Sequence, residues 1–224
     1  MLPLENGFAM EDDPHFPLGA DAVALAHAAA AELPPDASVC DLGCGAGGVS
    51  LLLAANRPDL RITGVELRPD AARLFRENIR INGAGARMTA VEGDLRQIRD
   101  LLPAASFREA LANPPYRAAS AGKLPADPDD AAARTEIRGT LADFCAAAAY
   151  LLPHRGTFRT VYPPEKLPAL FSALEKAGFA PKSLILYYPD AAHAPSVAVC
   201  RAVKGAKPGL SIAPPVFLNA GGAP

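Results

Sequence analysis

An amide side chain, two prolines and an aromatic ring follow one another at Asn113-Pro114-Pro115-Tyr116, about seventy residues after a glycine-rich turn at Asp41-Leu-Gly-Cys-Gly-Ala-Gly47. The prolines fix the backbone, so the Asn113 oxygen and the Pro114 carbonyl can both accept hydrogen bonds from one NH2 group with little motion left to lose. A planar amine is a poor nucleophile because its lone pair is delocalised. Two acceptors that draw its hydrogens out of plane favour the tetrahedral nitrogen of a transition state over the flat ground state. Tyr116 would stack on the acceptor, a contact worth ~1–3 kcal/mol per base. An amide is too weak a base to remove the proton, which would pass to water afterwards. Pro-Pro alone discriminates little, since it recurs at Pro34-Pro35, Pro163-Pro164 and Pro214-Pro215. Its place after the glycine turn does.

Val39-Cys40-Asp41-Leu42 enters that turn as a buried strand, and Gly43, Gly45 and Gly47 let the backbone bend tightly and approach a ligand. Gly43, Gly45 and Gly48 also satisfy the dinucleotide fingerprint, so the glycines alone do not separate a nicotinamide enzyme from other nucleotide binders. Glu66, 21 residues after Gly45, stands where a carboxylate accepts from ribose hydroxyls. Asp41 would repel a pyrophosphate but suits a ligand carrying an ammonium and a sulfonium. Asp94, in Glu92-Gly93-Asp94-Leu95, adds an acceptor for an adenine amine. S-adenosylmethionine has an amino acid end, a ribose and an adenine to meet the three acids in turn. Leu67 and Leu95, beside their acids, complete the candidate cofactor set, and the combination points to methyl transfer to a planar nitrogen. The competing reading makes the acids helix caps and turn residues.

Alternating elements must position these groups. Apolar strand candidates at 38–42, 61–67, 87–92 and 107–112 each lead into a turn and then, usually, helical periodicity, which predicts an α/β fold with a parallel sheet. Before them, Asp21 is placed to cap an alanine-rich helix reaching about Ala31. Pro69 opens a helix with Ala72, Phe75 and Ile79 on one face, stopped by Asn82-Gly83. Its Arg73, Arg76 and Arg80 form a stripe that reads as a solvated face or, alternatively, as a contact for RNA phosphate. Helices at 136–152 and 164–177 and strands at 157–162, 183–188 and 197–203 follow. The connection from Tyr116 to Arg134 is long enough to suggest a lid, a binding loop or a disordered segment. The expected organisation is an N-terminal segment and helix over 1–36, a cofactor domain over 37–204 and a tail over 205–224.

The 224 residues are 50% hydrophobic and 21% charged, a globular composition. No apolar run reaches a membrane span, and the first forty residues hold no Lys or Arg, which argues against a signal peptide and for a cytoplasmic protein without membrane contact. Cys40, Cys44, Cys145 and Cys200 form no CxxC pair, and His15, His27, His154 and His193 are dispersed, so no metal is expected. No GxSxG elbow or P-loop occurs. Residues 151–224 carry eight bases against three acids, whereas residues 1–50 carry eight acids and no Lys or Arg. The basic end could face phosphate, or be ordinary surface. No oligomeric state is assigned.

These motifs resemble the Asn-Pro-Pro-Tyr class of S-adenosylmethionine-dependent methyltransferases. More narrowly, the chain is similar to the bacterial family that methylates adenine N6 of valine tRNA beside the anticodon. The narrower resemblance adds Phe16-Pro-Leu-Gly-Ala-Asp-Ala-Val-Ala-Leu-Ala26, Ala133-Arg134 with Glu136, and Lys204-Gly-Ala-Lys-Pro-Gly-Leu-Ser-Ile-Ala-Pro-Pro215. It implies a Rossmann-like class I methyltransferase fold, a seven-stranded, mostly parallel sheet with helices on both faces. It also implies that Asp41 and the glycines hold the methionine part, Glu66 the ribose, Asp94 the adenine and Asn113 to Tyr116 the acceptor, with tRNA as substrate. Arg117 stands where many relatives have Phe. The rivals are an enzyme methylating release-factor glutamine, which usually carries an extra N-terminal helical domain, and a non-catalytic S-adenosylmethionine-binding module.

Overall fold

Val39, Cys40 and Leu42 are fully buried, as befits a strand covered on both faces. In the computed structural model, which describes residues 1–14, 17–114 and 139–218, they belong to the middle of one sheet. A small hairpin of β1 (Leu2–Pro3) and β2 (Ala9–Met10) precedes α1 (Ala20–Ala30). Then come β3 (Ser38–Leu42), α2 (Gly48–Asn56), β4 (Arg61–Glu66), α3 (Pro69–Ile81) and β5 (Met88–Glu92). A 3-10 turn over Leu95–Gln97 and α4 (Ile98–Leu101) lead to β6 (Glu109–Ala112). The second half holds α5 (Leu141–Leu151), β7 (Thr157–Tyr162), α6 (Leu167–Lys176), β8 (Phe179–Tyr188) and β9 (Val197–Lys204).

The long strands order as β8-β9-β7-β6-β3-β4-β5, parallel except for β9, which runs against β7 and β8. The chain leaves β3 toward β4 and β5, then returns to β6 on the other side of β3. That reversal opens a crevice at the carboxyl ends of β3 and β6. One face of the sheet packs Leu25, Ala28, Leu51, Phe75, Leu111 and Val161 with α1, α2 and α3. The other packs Cys40, Leu42, Ala112, Phe144, Leu151 and Leu170 with α5 and α6.

The seven strands gain two very short ones, β10 (Ser211–Ile212) and β11 (Val216–Phe217), both parallel to β8, making nine. The residues read as a tail return to cover the exposed β8 edge, and Pro214 and Pro215, lacking N–H groups, interrupt the pairing between them. β8 itself begins four residues before the expected Ser183. A register shift between Pro181 and Ser183 accommodates Pro181 within the strand. The N-cap of α1 is Gly19, not Asp21, which lies in the first turn. Thr140 and Asp143 form a reciprocal capping box at the start of α5; Glu136 and the other early residues of the expected helix lie outside the described residues.

The acidic start is fastened to α3 and its C-cap by two asparagines. Asn82 accepts from Ala9 N at 2.9 Å and donates to Ala9 O at 2.7 Å. The fully buried Asn78 accepts from Glu11 N at 2.7 Å and donates to the Glu11 and Ala46 carbonyls at 3.0 and 2.9 Å. Asn78→Ala is expected to strand these backbone groups at a cost of about 2–3 kcal/mol. The melting temperature should then fall by about 5–10 °C, measurable by calorimetry; an unchanged melting temperature would mean the strap contributes nothing.

Candidate functional site

Asp41 and Asn113 reach one side of the sheet through strand alternation. In β3, Cys40 and Leu42 face α5, so Val39 and Asp41 face α2. In β6, Ala110 and Ala112 face α5, so Leu111 and the next odd residue, Asn113, face α1. Leu42 pairs with both Ala112 and Val65, and Glu66 pairs with Glu92. Asn113, Gly43 and Glu66 therefore leave adjacent strands side by side, at spacings of about 4.8 Å per strand, with Asp94 just beyond β5.

Gly43, Gly45 and Gly47 all have positive φ, 69°, 56° and 89°. At Gly47 a Cβ would lie 2.0 Å from the Phe75 ring, so glycine is required there for packing as well as conformation. At Gly45 a Cβ would meet nothing within 4 Å, so the turn presents open space at that point. Glu66 braces the turn: one oxygen accepts from Gly45 N at 2.8 Å and the other from Arg68 N at 2.8 Å. A carboxylate oxygen can accept a second hydrogen bond, so these contacts are compatible with ribose hydroxyls.

Asp41 is buried beneath the turn, accepting a 2.7 Å hydrogen bond from the Ser50 hydroxyl of α2. Burial pushes its carboxyl up to about 6 against the opposing effect of that hydrogen bond, and the nearby Glu66 carboxylate pushes in the same direction as burial. Because the folded-state value is raised, the native state binds more protons than the unfolded chain between about pH 4 and 6, and stability falls as pH rises through that window. The shift corresponds to a penalty on the order of 3 kcal/mol above pH 6. Asp41→Asn is expected to be more stable than the parent at pH 8, with the advantage gone below about pH 4; denaturant titrations at both pH values would check it. Equal stability at pH 8 would refute the buried charge.

Asp94 accepts from Arg96 N at 2.9 Å and holds the Arg96 guanidinium at 2.6 Å, which keeps its carboxyl below the usual range. It thus has the turn-capping role of the competing reading, at the position expected for the cofactor acid. Leu67 is half-buried, whereas the Leu95 side chain packs into the core. Pro114 is buried; Pro115 and Tyr116 lie outside the described residues. The reading of Asp21 as a cap missed its role: Asn113 Nδ2 donates to Asp21 Oδ2 at 3.3 Å across 92 residues.

Other expectations distribute differently. Arg76 pairs with Glu92 and Arg80 with Glu77 on an exposed face. Among the bases of the last third, three are engaged within the fold: Arg159 is buried among acids, Arg201 pairs with Glu32, and Lys204 bonds carbonyls at the opposite end of the sheet. All four cysteines are buried and free. Among the described residues no cluster of His, Cys, Asp or Glu could hold a metal, and no helix is long and apolar enough to cross a membrane.

These groups are compatible with S-adenosylmethionine: a glycine turn open at Gly45, the Glu66 carboxylate beneath its edge, and the buried Asp41 carboxylate that a cation would relieve. Comparison with known proteins agrees. The methyltransferase small domain family matches residues 22–127. A tRNA1(Val) (adenine(37)-N6)-methyltransferase of Shewanella amazonensis is 34% identical over 72% of this chain and 67% of its own length. A release factor glutamine methyltransferase of Vibrio cholerae is 34% identical over 36% of this chain and 27% of its own. The fold resembles the crystal structure of a predicted O-methyltransferase from Agrobacterium tumefaciens, with a TM-score of 0.73 and 20% identity over 90% of this chain and 89% of that one. The chain spans from about a quarter to two thirds of the length of the curated relatives it matches.

Proposed function

The chain belongs to the family of the tRNA1(Val) (adenine(37)-N6)-methyltransferases, and on that premise we propose that it is an S-adenosylmethionine-dependent N-methyltransferase acting in the cytoplasm on an exocyclic planar amine. The acceptor we favour is adenine N6 of valine tRNA next to the anticodon. The observation that carries the reading is the side-by-side exit of Asn113 and Gly43 from paired strands, with Leu42 opposite Ala112. It brings an amide acceptor to the edge of the cofactor cradle.

S-adenosylmethionine supplies an electrophilic methyl on a sulfonium. Asp41 and Glu66 favour that cation electrostatically, and Glu66 also meets the ribose. Asp94 serves the adenine, for which Arg96 shares or releases its carboxylate. Asn113 Oδ1 and the Pro114 carbonyl accept the two amine hydrogens and stabilise the tetrahedral nitrogen, and Tyr116 stacks on the ring. No general base is needed, because the cationic product loses its proton to water.

The release-factor enzymes support a second reading, transfer to a glutamine amide, since that group is also a planar NH2. Their matches cover 36–41% of this chain, whereas those of the tRNA relatives extend from 35% up to 72%. Incubating the protein with labelled cofactor and, separately, total tRNA, ribosomal RNA, duplex DNA and release factor would decide between them. Label in tRNA, found as N6-methyladenosine after digestion, is the expected result; label in release factor alone would replace the first reading by the second. A non-catalytic module would label none of the four.

A further inference from the structure

Asn113 has two chemically different ends of nearly the same shape, and only one can accept from an amine. Unless something distinguishes them, the amide is free to present its NH2 group to the acceptor's NH2 and repel it. The structure supplies a discriminator. Asp21, in the first turn of α1, accepts the Asn113 NH2 through Oδ2 at 3.3 Å, while its Oδ1 accepts from Ala22 N at 3.0 Å. A carboxylate accepts and does not donate, so only the flip that turns the amide nitrogen toward α1 is compatible with it. The Asn113 oxygen then faces away from α1.

We infer that Asp21 is a positioning residue that fixes the orientation of the Asn113 amide, and that Gly19 is kept small to let it do so. This rests on the proposed use of Asn113 Oδ1 by the acceptor amine. Gly19 has φ −105° and ψ 169°, extended backbone open to any residue, so its conformation does not call for glycine. Its space does: an added Cβ would stand 2.5 Å from Asp21 Oδ1. The group in the way is the far end of a side chain, which can swing aside without disturbing the helix. A methyl at position 19 would therefore displace the carboxylate without removing its charge. A negative charge on the NH2 side also polarises the amide, making its oxygen a stronger acceptor as the amine becomes cationic.

Three variants separate orientation from charge and from folding. Asp21→Ala removes the orienting group, Gly19→Ala displaces it, and Asp21→Asn keeps a neutral oxygen that can still accept from Asn113. Nitrogen-15 NMR of the Asn113 side-chain amide reads the orientation without turnover. Its two proton resonances should shift and exchange faster with water in Asp21→Ala and Gly19→Ala, and stay near the parent positions in Asp21→Asn. With unmodified valine tRNA transcript, the single-turnover rate should fall about ten- to a hundred-fold in the first two and less in the third, at unchanged S-adenosylhomocysteine affinity and melting temperature. Asn113 resonances indifferent to Asp21→Ala, or full rates in both alanine variants, would overturn the inference and leave Asp21 an ordinary first-turn acid. A parent protein that labels no acceptor would instead sink the functional reading, and the resonances would decide the orientation alone.

Discussion

Asn113→Ala is expected to abolish most methyl transfer, by about 10²–10³-fold, while S-adenosylhomocysteine raises the melting temperature as much as it does in the parent. The size follows from removing one preorganised hydrogen-bonding partner of a transition state, worth ~2.7–4 kcal/mol. The unchanged cofactor response follows from where the contacts lie. The cradle is built on β3 and β4, with Glu66 holding Gly45 N and Arg68 N, and among the described residues no hydrogen bond ties Asn113 to it. A ligand that binds only the folded state raises its stability by an amount set by its affinity, so equal shifts mean equal affinity. Asn113→Asp sharpens the test, because it keeps an acceptor but places a second carboxylate 3.3 Å from Asp21. Two such groups cannot both ionise freely, so one takes up a proton well above the usual carboxylate range. Its activity should therefore differ from the alanine variant's and depend on pH where the parent's does not. Loss of cofactor response in Asn113→Ala would show that the residue serves the cradle instead.

The cofactor half was legible because its signals are local. A five-residue apolar strand, three glycines within five positions and an acid ending the next strand specify one turn, and β3 has the expected bounds. Pro69 and the 3.6-residue periodicity placed α3 for the same reason. The contacts that were not legible join residues far apart in sequence. Asp21 and Asn113 are 92 positions apart, so an acid in a first helical turn looked like a cap. Asn78 on a helix and Asn82 just after it gave no sign that the first eleven residues would fold onto them. The last two short strands were hidden by prolines, and Pro181 masked the start of β8, because a bulge depends on the partner strand. The basic bias of residues 151–224 left its role open for the same reason, since nothing local showed that Arg159 and Arg201 would pair with Glu109 and Glu32.

Arg159 carries the largest expected effect on stability. Its side chain is 1% exposed, with Nε 2.7 Å from Glu109 and Nη2 3.2 Å from Glu32, while Arg201 reaches Glu32 at 3.0 Å. Two bases and two acids thus balance between β6, β7, β9 and the segment after α1. Arg159→Met would leave Glu109 buried without its nearest counter-charge, a loss of about 3–5 kcal/mol. Burial already holds the Glu109 carboxyl above its ordinary range, against the attraction of Arg159, so removing the arginine raises it further. A raised folded value means the native variant gains protons that the unfolded chain lacks. The deficit should therefore be largest at neutral pH and shrink as pH falls through the raised value. Adding Glu109→Leu removes the stranded charge, and the double variant should regain most of the loss, the more so because Arg159 Nη1 is buried without a hydrogen-bond partner. Denaturant unfolding of both variants at pH 5 and 8 measures this, and a double variant no more stable than Arg159→Met would refute it. The cluster also bears on transfer. Arg159 pairs with Leu111, two residues before Asn113, and Glu32 follows the helix whose first turn holds Asp21. Loosening it frees β6 and α1 to move apart, so Arg159→Met should slow transfer even at temperatures where it remains folded.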